Sequence, residues 1–413
     1  MNRCPGLLRA LLAVLPLAAV GSVGADTDAG DGADIRIGNI ASYTGSGQDY
    51  AAVARAEAAY FRMINDRGGI ASRKIDFISL DDGGDSGRAL RQAQRLVEQE
   101  QVLALFSTFG TDANLAIREY ANAQRVPQLF VEASSAVFDD PAHFPWTMGF
   151  YPTYRTEGLA YAAYVGEHRP NTRIAVLYED SAAGVEFRQG LVDGLGARAA
   201  TMIVQQASYH AGNADAGDAG AGLDALLEGF KRSRADVFMN LAWGHTASAA
   251  IRRSYDLDWH PLQFIPNASL SVAAFLEPAG LAKASGIISS ARSKSWWRPN
   301  AGRDPEVREF LDWMARYNPG ASLRDQLNVA GYERAQALVA VLRQCGGELT
   351  RARVMAQATS LDLSIGMLRP GIRLTTSRDD FQPIKQLFLI RFDGQEWQPL
   401  DSVVTAAAAL NRP

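Results

Sequence analysis

The chain has 413 residues, of which 47% are hydrophobic and 21% charged, as in soluble globular proteins and unlike disordered, collagen-like or coiled-coil chains. Its 41 basic and 45 acidic side chains give a formal charge of -4, which disfavours a protein that grips nucleic acid through phosphates. At about 150 residues per domain, the length predicts two or three domains. The scattered histidines and the two cysteines form no zinc-binding spacing, so we expect neither a metal nor another cofactor.

The amino-terminal segment has the pattern of an export signal. Arg3 and Arg9 give it a positive start, residues 11–20 are apolar, and Val23-Gly24-Ala25 has the small residues of a cleavage site. The apolar stretch is too short to cross a bilayer of about 30 Å. We therefore predict removal of residues 1–25 and export to the periplasm; an uncleaved lead or anchor is the alternative.

From residue 35 onward, short and nearly continuous apolar runs alternate with helical patterns, which is typical of a parallel sheet covered on both faces. The predicted strands, in chain order, are residues 35–41, 74–80, 102–107, 126–131, 173–178, 201–205, 236–241, 262–265 and 385–392. The strands therefore form two successive sets, and we predict an α/β fold with two doubly wound lobes.

The predicted helices share apolar residues at the 3.6-residue spacing. They are residues 52–66, a helix capped by Asp85 or Ser86 that runs to Val97, and residues 113–124, 156–168, 185–195, 223–231, 246–255, 305–317 and 328–344. Residues 144–152 contain two prolines and no helical period, so we predict a connector that crosses between the lobes. Residues 211–222 are small and polar, and we predict a flexible surface loop there rather than a dinucleotide-binding fingerprint.

Several segments together match one known family in order and spacing. They are IRIGNIASYTGSG, AEAAYFRMINDRGGIASRKIDFISLDDG, VPQLFVEAS, FPWTMGFYPTYRTEG, RIAVLYEDSAAG and LNVAGY. With these segments the chain resembles the branched-chain amino acid (Leu/Ile/Val) binding family, the type I periplasmic binding proteins that supply ABC importers.

The resemblance implies two doubly wound parallel-sheet lobes joined by three hinge strands, with a small-molecule ligand enclosed between them. Lobe 1 would comprise residues 34–147 and 291–363, and lobe 2 residues 148–288 and 366–405. The second and third crossings would fall near residues 286–291 and 364–370. The implied partner is the membrane permease of an ABC importer, and the protein is expected to be a monomer that binds no nucleic acid.

The resemblance also implies where the ligand contacts lie. In open α/β sheets, the crevice beyond the carboxyl ends of the strands collects helix N-termini, which attract anions. Thr111 and Ser134 each follow a predicted strand as polar contacts, and Trp243 follows another as a stacking aromatic; helix caps and a core tryptophan are the alternatives. The full set of expected contacts is Tyr43, Tyr50, Phe109, Thr111, Glu132, Ser134, Tyr154, Ala183, Trp243, Asn267 and Ala330.

One departure from the family pattern concerns the charge of the ligand. Amino acid binders of the family hold the ligand ammonium with an acidic residue where this chain has Asn267 or Ala268. An unpaired buried cation costs several kcal/mol, so an amino acid should bind poorly unless another carboxylate replaces the lost one. Glu132, where relatives have a small residue, is the candidate substitute; an internal salt bridge or solvent exposure are its alternatives.

A second departure concerns the size of the ligand. Ala183 and Ala330 stand where relatives commonly carry aromatic residues. Each change makes room for several ligand atoms. We therefore expect an enlarged, rather apolar pocket that suits an aromatic acid or a bulkier terpenoid or sterol-like molecule better than leucine.

Other classes of protein find less support in the sequence. Gly45-Ser46-Gly47 does not complete the hydrolase motif G-x-S-x-G. The acidic pairs Asp81-Asp82 and Asp139-Asp140 are more often caps or solvated turns than acid–base catalysts, so we expect no enzyme. A branched-chain amino acid binder, a sterol or terpenoid carrier and a ligand-sensing receptor domain without transport remain as alternatives.

Overall fold

The structure is a computed structural model that describes residues 33–45, 47–210, 217–297, 300–400 and 404–405. The predicted export signal lies outside these residues. The strands are β1 (Ile35–Ala41), β2 (Ile75–Asp81), β3 (Ala104–Phe106), β4 (Gln128–Leu129), β5 (Ile174–Glu179), β6 (Ile203–Tyr209), β7 (Val237–Leu241), β8 (Leu262–Phe264), β9 (Ile288–Ala291), β10 (Asp362–Leu363), β11 (Leu374–Thr375), β12 (Gln386–Phe392), β13 (Trp397–Pro399) and β14 (Val404–Thr405).

The helices fill the connections between these strands. They are α1 (Ala51–Asp66), α2 (Ser86–Glu98), α3 (Thr111–Ala123), α4 (Tyr154–His168), α5 (Ala182–Leu195), α6 (Ala199–Met202), α7 (Gly217–Arg232), α8 (Gly244–Asp256), α9 (Glu277–Ala279), α10 (Pro305–Tyr317), α11 (Leu327–Gln344) and α12 (Arg351–Ala358). No helix in the described ranges is long and apolar enough to cross a membrane.

The first sheet has the strand order β2-β1-β3-β4, and all its pairs are parallel. Side chains alternate along β1, so Ile37 packs in the cluster that contains α1 and α11, whereas Ile40 packs with α2 and α3 on the opposite face. Helices therefore cover both faces. Gly331 lets α11 approach α1 closely, because a Cβ there would lie 2.4 Å from the Val53 carbonyl oxygen.

The second sheet has the order β13-β12-β9-β8-β7-β5-β6. Strands β5 to β9 pair in parallel, whereas β12 runs antiparallel to β9 and β13. Val176 of β5 packs with α4 and α5 on one face, and its neighbour Leu177 packs with α7 and α8 on the other. This second doubly wound layer confirms the predicted α/β fold class.

The connecting segments lie side by side between the two sheets. The backbone N–H of Lys294 donates to the Met367 carbonyl at 2.7 Å, and that of Arg369 donates to the Arg292 carbonyl at 2.9 Å. The Ile384 N–H donates to the Phe150 carbonyl at 3.0 Å. These bonds join segments at or beside the predicted crossings, and the crossings and lobe limits stay predictions.

Two local predictions were wrong, and one helix was missed. Helix α7 begins at Gly217, so residues 217–222 are helical rather than a loop; residues 211–216 lie outside the described range. Once the buried Leu223, Leu227 and Phe230 hold the amphipathic part of a helix, extending it costs little per residue, even through glycines. Strand β6 starts at Ile203, because α6 occupies the preceding residues, and α12 was not predicted at all.

Candidate ligand-binding site

A cavity of about 360 Å³ lies between the two sheets, at the carboxyl ends of their strands. This volume falls within the range of about 300–1,000 Å³ that is typical of small-molecule pockets. Ten of the eleven residues predicted as ligand contacts line it: Tyr50, Phe109, Thr111, Glu132, Ser134, Tyr154, Ala183, Trp243, Asn267 and Ala330. Their contact with a ligand stays a prediction, but the structure brings them together.

Tyr43 is the exception, and its position corrects the sequence-based expectation. It does not line the cavity. Its hydroxyl shares a 2.7 Å hydrogen bond with the Ser79 hydroxyl, and the Arg55 guanidinium lies 5.4 Å from its ring. These neighbours on β2 and α1 hold the side chain away from the crevice.

Aromatic rings form much of the cavity wall. Tyr50 stacks on Phe109 with ring centroids 5.2 Å apart, and Tyr154 lies 5.1 Å from Trp243 on the other side. The Tyr50 hydroxyl is buried without a hydrogen-bond partner among the described residues. Such rings bind apolar or aromatic groups through large contact areas and edge or face interactions.

Several helices begin at the cavity. Thr111 is the first residue of α3, and Trp243 directly precedes α8. Ala183 lies in the first turn of α5, whose N-cap Ser181 accepts a hydrogen bond from the Gly184 N–H at 3.2 Å. Free N–H groups and helix dipoles at these ends favour a polar or anionic group on the ligand.

Glu132 pairs with a buried arginine, one of the alternatives left open by the sequence. Its carboxylate contacts the Arg334 guanidinium directly, and Glu57 lies 3.5 Å from the same group on the far side. Burial alone lowers the pKa of Arg334, but the two carboxylates outweigh it and raise that pKa. Burial raises the pKa of Glu57 to about 8, although Arg334 opposes this. Glu132 still reaches the cavity wall, so a ligand contact remains open as well.

Asn267 lies at the centre of a hydrogen-bond network. Its amide nitrogen donates to the Ser290 carbonyl at 2.7 Å, and its amide oxygen accepts from Arg292 Nη1 at 2.9 Å. Its backbone N–H donates to Glu157 Oε1 at 2.7 Å. The position where relatives carry an acid thus holds a neutral amide whose two polar atoms are both engaged.

Sequence reasoning missed Glu157 and Arg292, which both line the cavity. Glu157 Oε1 also accepts hydrogen bonds from the Tyr161 and Ser290 hydroxyls, and burial raises the pKa of Glu157 despite these donors. Arg292 donates to the fully buried Glu333 at 3.1 Å. Glu157 belongs to the quoted segment FPWTMGFYPTYRTEG and Arg292 follows the predicted second crossing, but nothing in the sequence pairs them with Asn267.

Three of the other acidic groups of the wall already have partners. Asp49 contacts His245 at 2.7 Å, and Asp82 accepts from the Ser42 hydroxyl at 2.7 Å. Glu179 accepts from the Ser181 hydroxyl at 2.7 Å, and burial raises its pKa. Asp112 is exposed at the start of α3. Within the described residues, no group of three His, Cys, Asp or Glu side chains is placed to hold a metal ion.

Two doubly wound sheets that enclose a cavity at the ends of their strands define a two-lobed solute-binding protein. A family model described as "Periplasmic binding protein" matches residues 34–396. The chain therefore belongs to the periplasmic binding protein family, which confirms the resemblance in its sequence.

Similar proteins span nearly the same length. Leu/Ile/Val-binding protein homolog 7 of Brucella suis biovar 1 (strain 1330) is 21% identical over 402 residues, covering 92% of this chain and 93% of that protein. A branched-chain amino acid ABC transporter protein from Thermus thermophilus with bound valine has a TM-score of 0.77 at 15% identity, covering 91% of this chain and 97% of that chain. A fatty acid ABC transporter substrate-binding protein from Thermomonospora curvata has a TM-score of 0.76 at 16% identity, covering 92% and 94%. At these identities the structural matches show the shared fold.

Proposed function

We propose that the protein captures a small, largely apolar or aromatic ligand between its lobes and delivers it to the membrane permease of an ABC importer. The observation that carries the proposal is an aromatic cavity wall on which the neutral amide of Asn267 has both polar atoms engaged, at the place (Asn267 or Ala268) where the resemblance puts the family's ammonium-binding acid. Similar proteins named for branched-chain amino acids and for a fatty acid support transport of a small molecule with an apolar body.

The polar groups of the wall argue against a simple amino acid ligand. The Asn267 amide has no charge to offer an ammonium group, and Glu132 already pairs with Arg334. Ala183 and Ala330 leave the wall without the bulk that commonly confines leucine in the family. A ligand ammonium would therefore find no charge partner at Asn267 or Glu132, and an unpaired buried cation costs several kcal/mol.

A branched-chain amino acid is the second candidate, and one observation favours it. Glu157 lines the cavity beside Asn267, and only one of its carboxylate oxygens is hydrogen-bonded within the described residues. A carboxylate oxygen without a hydrogen bond is the kind of group that could replace the family's acid as the partner of an ammonium group.

Calorimetric titration of the ligand-free protein separates these candidates. We expect 3-phenylpropionate or decanoate to bind with release of heat, and leucine and valine to bind much more weakly or not at all. Micromolar binding of leucine together with no binding of the apolar compounds would establish the amino acid binder instead. Mass spectrometry of compounds that copurify with the protein provides an independent check of ligand class.

Export and oligomeric state belong to the same proposal. We infer that residues 1–25 are removed on export to the periplasm and that the protein acts there as a monomer, without enzymatic activity. The intact mass of protein from the periplasmic fraction should correspond to a chain that begins at Asp26. A mass that includes residues 1–25, or a dimer by light scattering at micromolar concentration, would contradict this part.

A further inference from the structure

We propose that Arg292 binds an acidic group of the ligand, so that the cargo is a hydrophobic monocarboxylic acid. The inference rests on the proposed function and names the ligand class for the same cavity. Arg292 directly follows β9 and lies on the cavity wall. Among the described residues of that wall, it is the one lysine or arginine.

The guanidinium of Arg292 is held in place by three contacts. Its Nε donates to Glu333 Oε2 at 3.1 Å, and its Nη1 donates to Asn267 Oδ1 at 2.9 Å. The group also lies over the Tyr151 ring, 3.5 Å from the ring centroid. A planar guanidinium fixed in this way loses little conformational entropy when it binds a further acceptor.

One end of this guanidinium remains available. Nη2 makes no hydrogen bond among the described residues, although the side chain is only 9% exposed. Nη2 is not one of the buried polar atoms that lack a partner, so it retains accessible surface on a residue that lines the cavity. A carboxylate is the acceptor that matches such a donor in geometry and charge.

Several acids of the wall are already engaged by cations or hydrogen-bond donors. Glu132 pairs with Arg334, Asp49 with His245, and Glu157 accepts hydrogen bonds from three donors at one oxygen. The same cavity contains the rings described above together with Leu387 and Ile390, which suit an apolar body. An acid with a hydrophobic tail therefore satisfies both kinds of surface.

The charged groups around Arg292 permit the carboxylate of a ligand to bind there. The groups near Arg292 are Glu157 on α4, Asn267 after β8, Glu333 and Arg334 on α11, and Glu132 after β4. Burial raises the pKa of both Glu157 and Glu333, so these two carboxyl groups near Arg292 favour their neutral forms more than exposed glutamates do, which lessens their repulsion of a ligand carboxylate.

The decisive experiment compares three compounds with the same body on the wild-type protein. Titration calorimetry with 3-phenylpropionate, 3-phenylpropanamide and 3-phenylpropylamine varies only the head group. We expect the acid to bind about 10- to 100-fold more tightly than the amide, and the amine to bind most weakly. Equal affinity of acid and amide, or preference for the amine, overturns the role of Arg292 while leaving an apolar ligand intact. Failure of all three to bind overturns both this inference and the proposed apolar ligand.

A variant pair locates the effect at Arg292. The double variant Arg292→Gln with Glu333→Gln removes both charges of this pair, so Glu333 is not left as a buried carboxylate without its partner. Its ratio of acid to amide affinity should fall to about one, and a ratio that stays at the wild-type value contradicts the inference. Arg373→Gln is the matched control, since Arg373 is an exposed arginine paired with Asp362 and should leave the ratio unchanged. The comparison of compounds on the wild-type protein decides the matter even where the double variant does not fold.

Discussion

Glu57, Arg334 and Glu132 form a line of charges that runs from the interior of the first sheet to the cavity wall. Glu57 and Arg334 are fully buried, and neither Glu57 oxygen has a hydrogen-bond partner among the described residues. Two carboxylates share one guanidinium, so one of them is favoured in its protonated form. The sequence indicated an arginine as one possible partner of Glu132, but Arg334 lies 202 positions further along the chain and no local pattern identifies it.

The raised pKa of Glu57 predicts a specific pH dependence of stability. The pKa is about 8 in the folded protein against an ordinary value of 4.5, so between these values the folded state retains a proton that the unfolded state has released. The contribution of Glu57 to the free energy of unfolding therefore falls as pH rises from about 4.5 to about 8, by on the order of several kcal/mol. Glu57→Gln, which cannot ionise, should match the wild type at pH 5 and be more stable at pH 8.5.

Urea unfolding at both pH values measures this difference through the shift in midpoint. Glu119→Gln, at an exposed glutamate, is the control and should follow the wild type. If the urea midpoints of the wild type and of Glu57→Gln differ by the same amount at both pH values, Glu57 is ionised throughout this range.

Ala330 offers a residue-level test of cavity size. It lies on the wall in α11, and its carbonyl accepts a 3.1 Å hydrogen bond from the Tyr151 hydroxyl. Ala330→Tyr restores the bulk that is frequent in the family and should weaken decanoate binding at least about 10-fold, because buried apolar contacts of this size are worth roughly 1.5–3 kcal/mol. Ala330→Ser, which adds little volume, should leave the affinity within a few-fold of the wild type. Tighter decanoate binding by Ala330→Tyr would mean that the ligand does not occupy this part of the cavity.

At the scale of elements, α4 and α5 pack closely against each other through glycines. A Cβ at Gly158 would lie 2.5 Å from the Phe187 carbonyl oxygen, and one at Gly190 would lie 2.3 Å from the Arg155 carbonyl oxygen. Both helices begin at the cavity, so their close packing positions Tyr154 and Ala183 there.

Two glycine substitutions in helices should therefore have opposite effects. Gly190→Ala gains up to about 1 kcal/mol of helix propensity but forces α4 and α5 apart, so we expect a net loss of roughly 1–3 kcal/mol. Gly222→Ala in α7 has nothing within 4 Å of the added Cβ and should raise the free energy of unfolding by about 0.5–1 kcal/mol. Urea unfolding of both variants measures the two effects, and stabilisation by Gly190→Ala would disprove the close approach of the helices.

The elements also show what periodicity predicts and what it does not. Strands with buried apolar runs and helices with a clear stripe, such as α1 and α10, were predicted to within one or two residues. The strand predicted at residues 126–131 pairs only over Gln128–Leu129, since ladder pairing depends on neighbouring strands and not on its own apolar character. Helix α12 has only eight residues, too few for its apolar spacing to stand out, although Thr350 caps it.

At the scale of the whole molecule, contacts outside the cavity link the two sides of the crevice. Arg324 contacts Glu277 at 2.8 Å, and its Nη2 donates to the Gln395 carbonyl at 3.1 Å. The Ser271 hydroxyl donates to Asp325 at 2.8 Å, next to the same segment. The family resemblance anticipated two lobes, but these links join residues far apart in the chain and follow only from the assembled fold. These three contacts favour a closed form of the protein, in which both lobes contact the ligand.

This arrangement predicts that ligand binding shifts the protein towards a compact form. Only a closed form contacts the ligand from both sides, so the ligand shifts the population by its difference in affinity between open and closed forms. Saturating 3-phenylpropionate should lower the radius of gyration in solution X-ray scattering. Arg324→Gln removes the charged link to Glu277 without altering the cavity wall and should weaken binding of every apolar ligand by about 2- to 5-fold, the effect of a partly exposed ion pair. Arg373→Gln, at a surface pair remote from the crevice links, should bind like the wild type. A radius of gyration that does not change at saturation would show that the lobes do not close on the ligand.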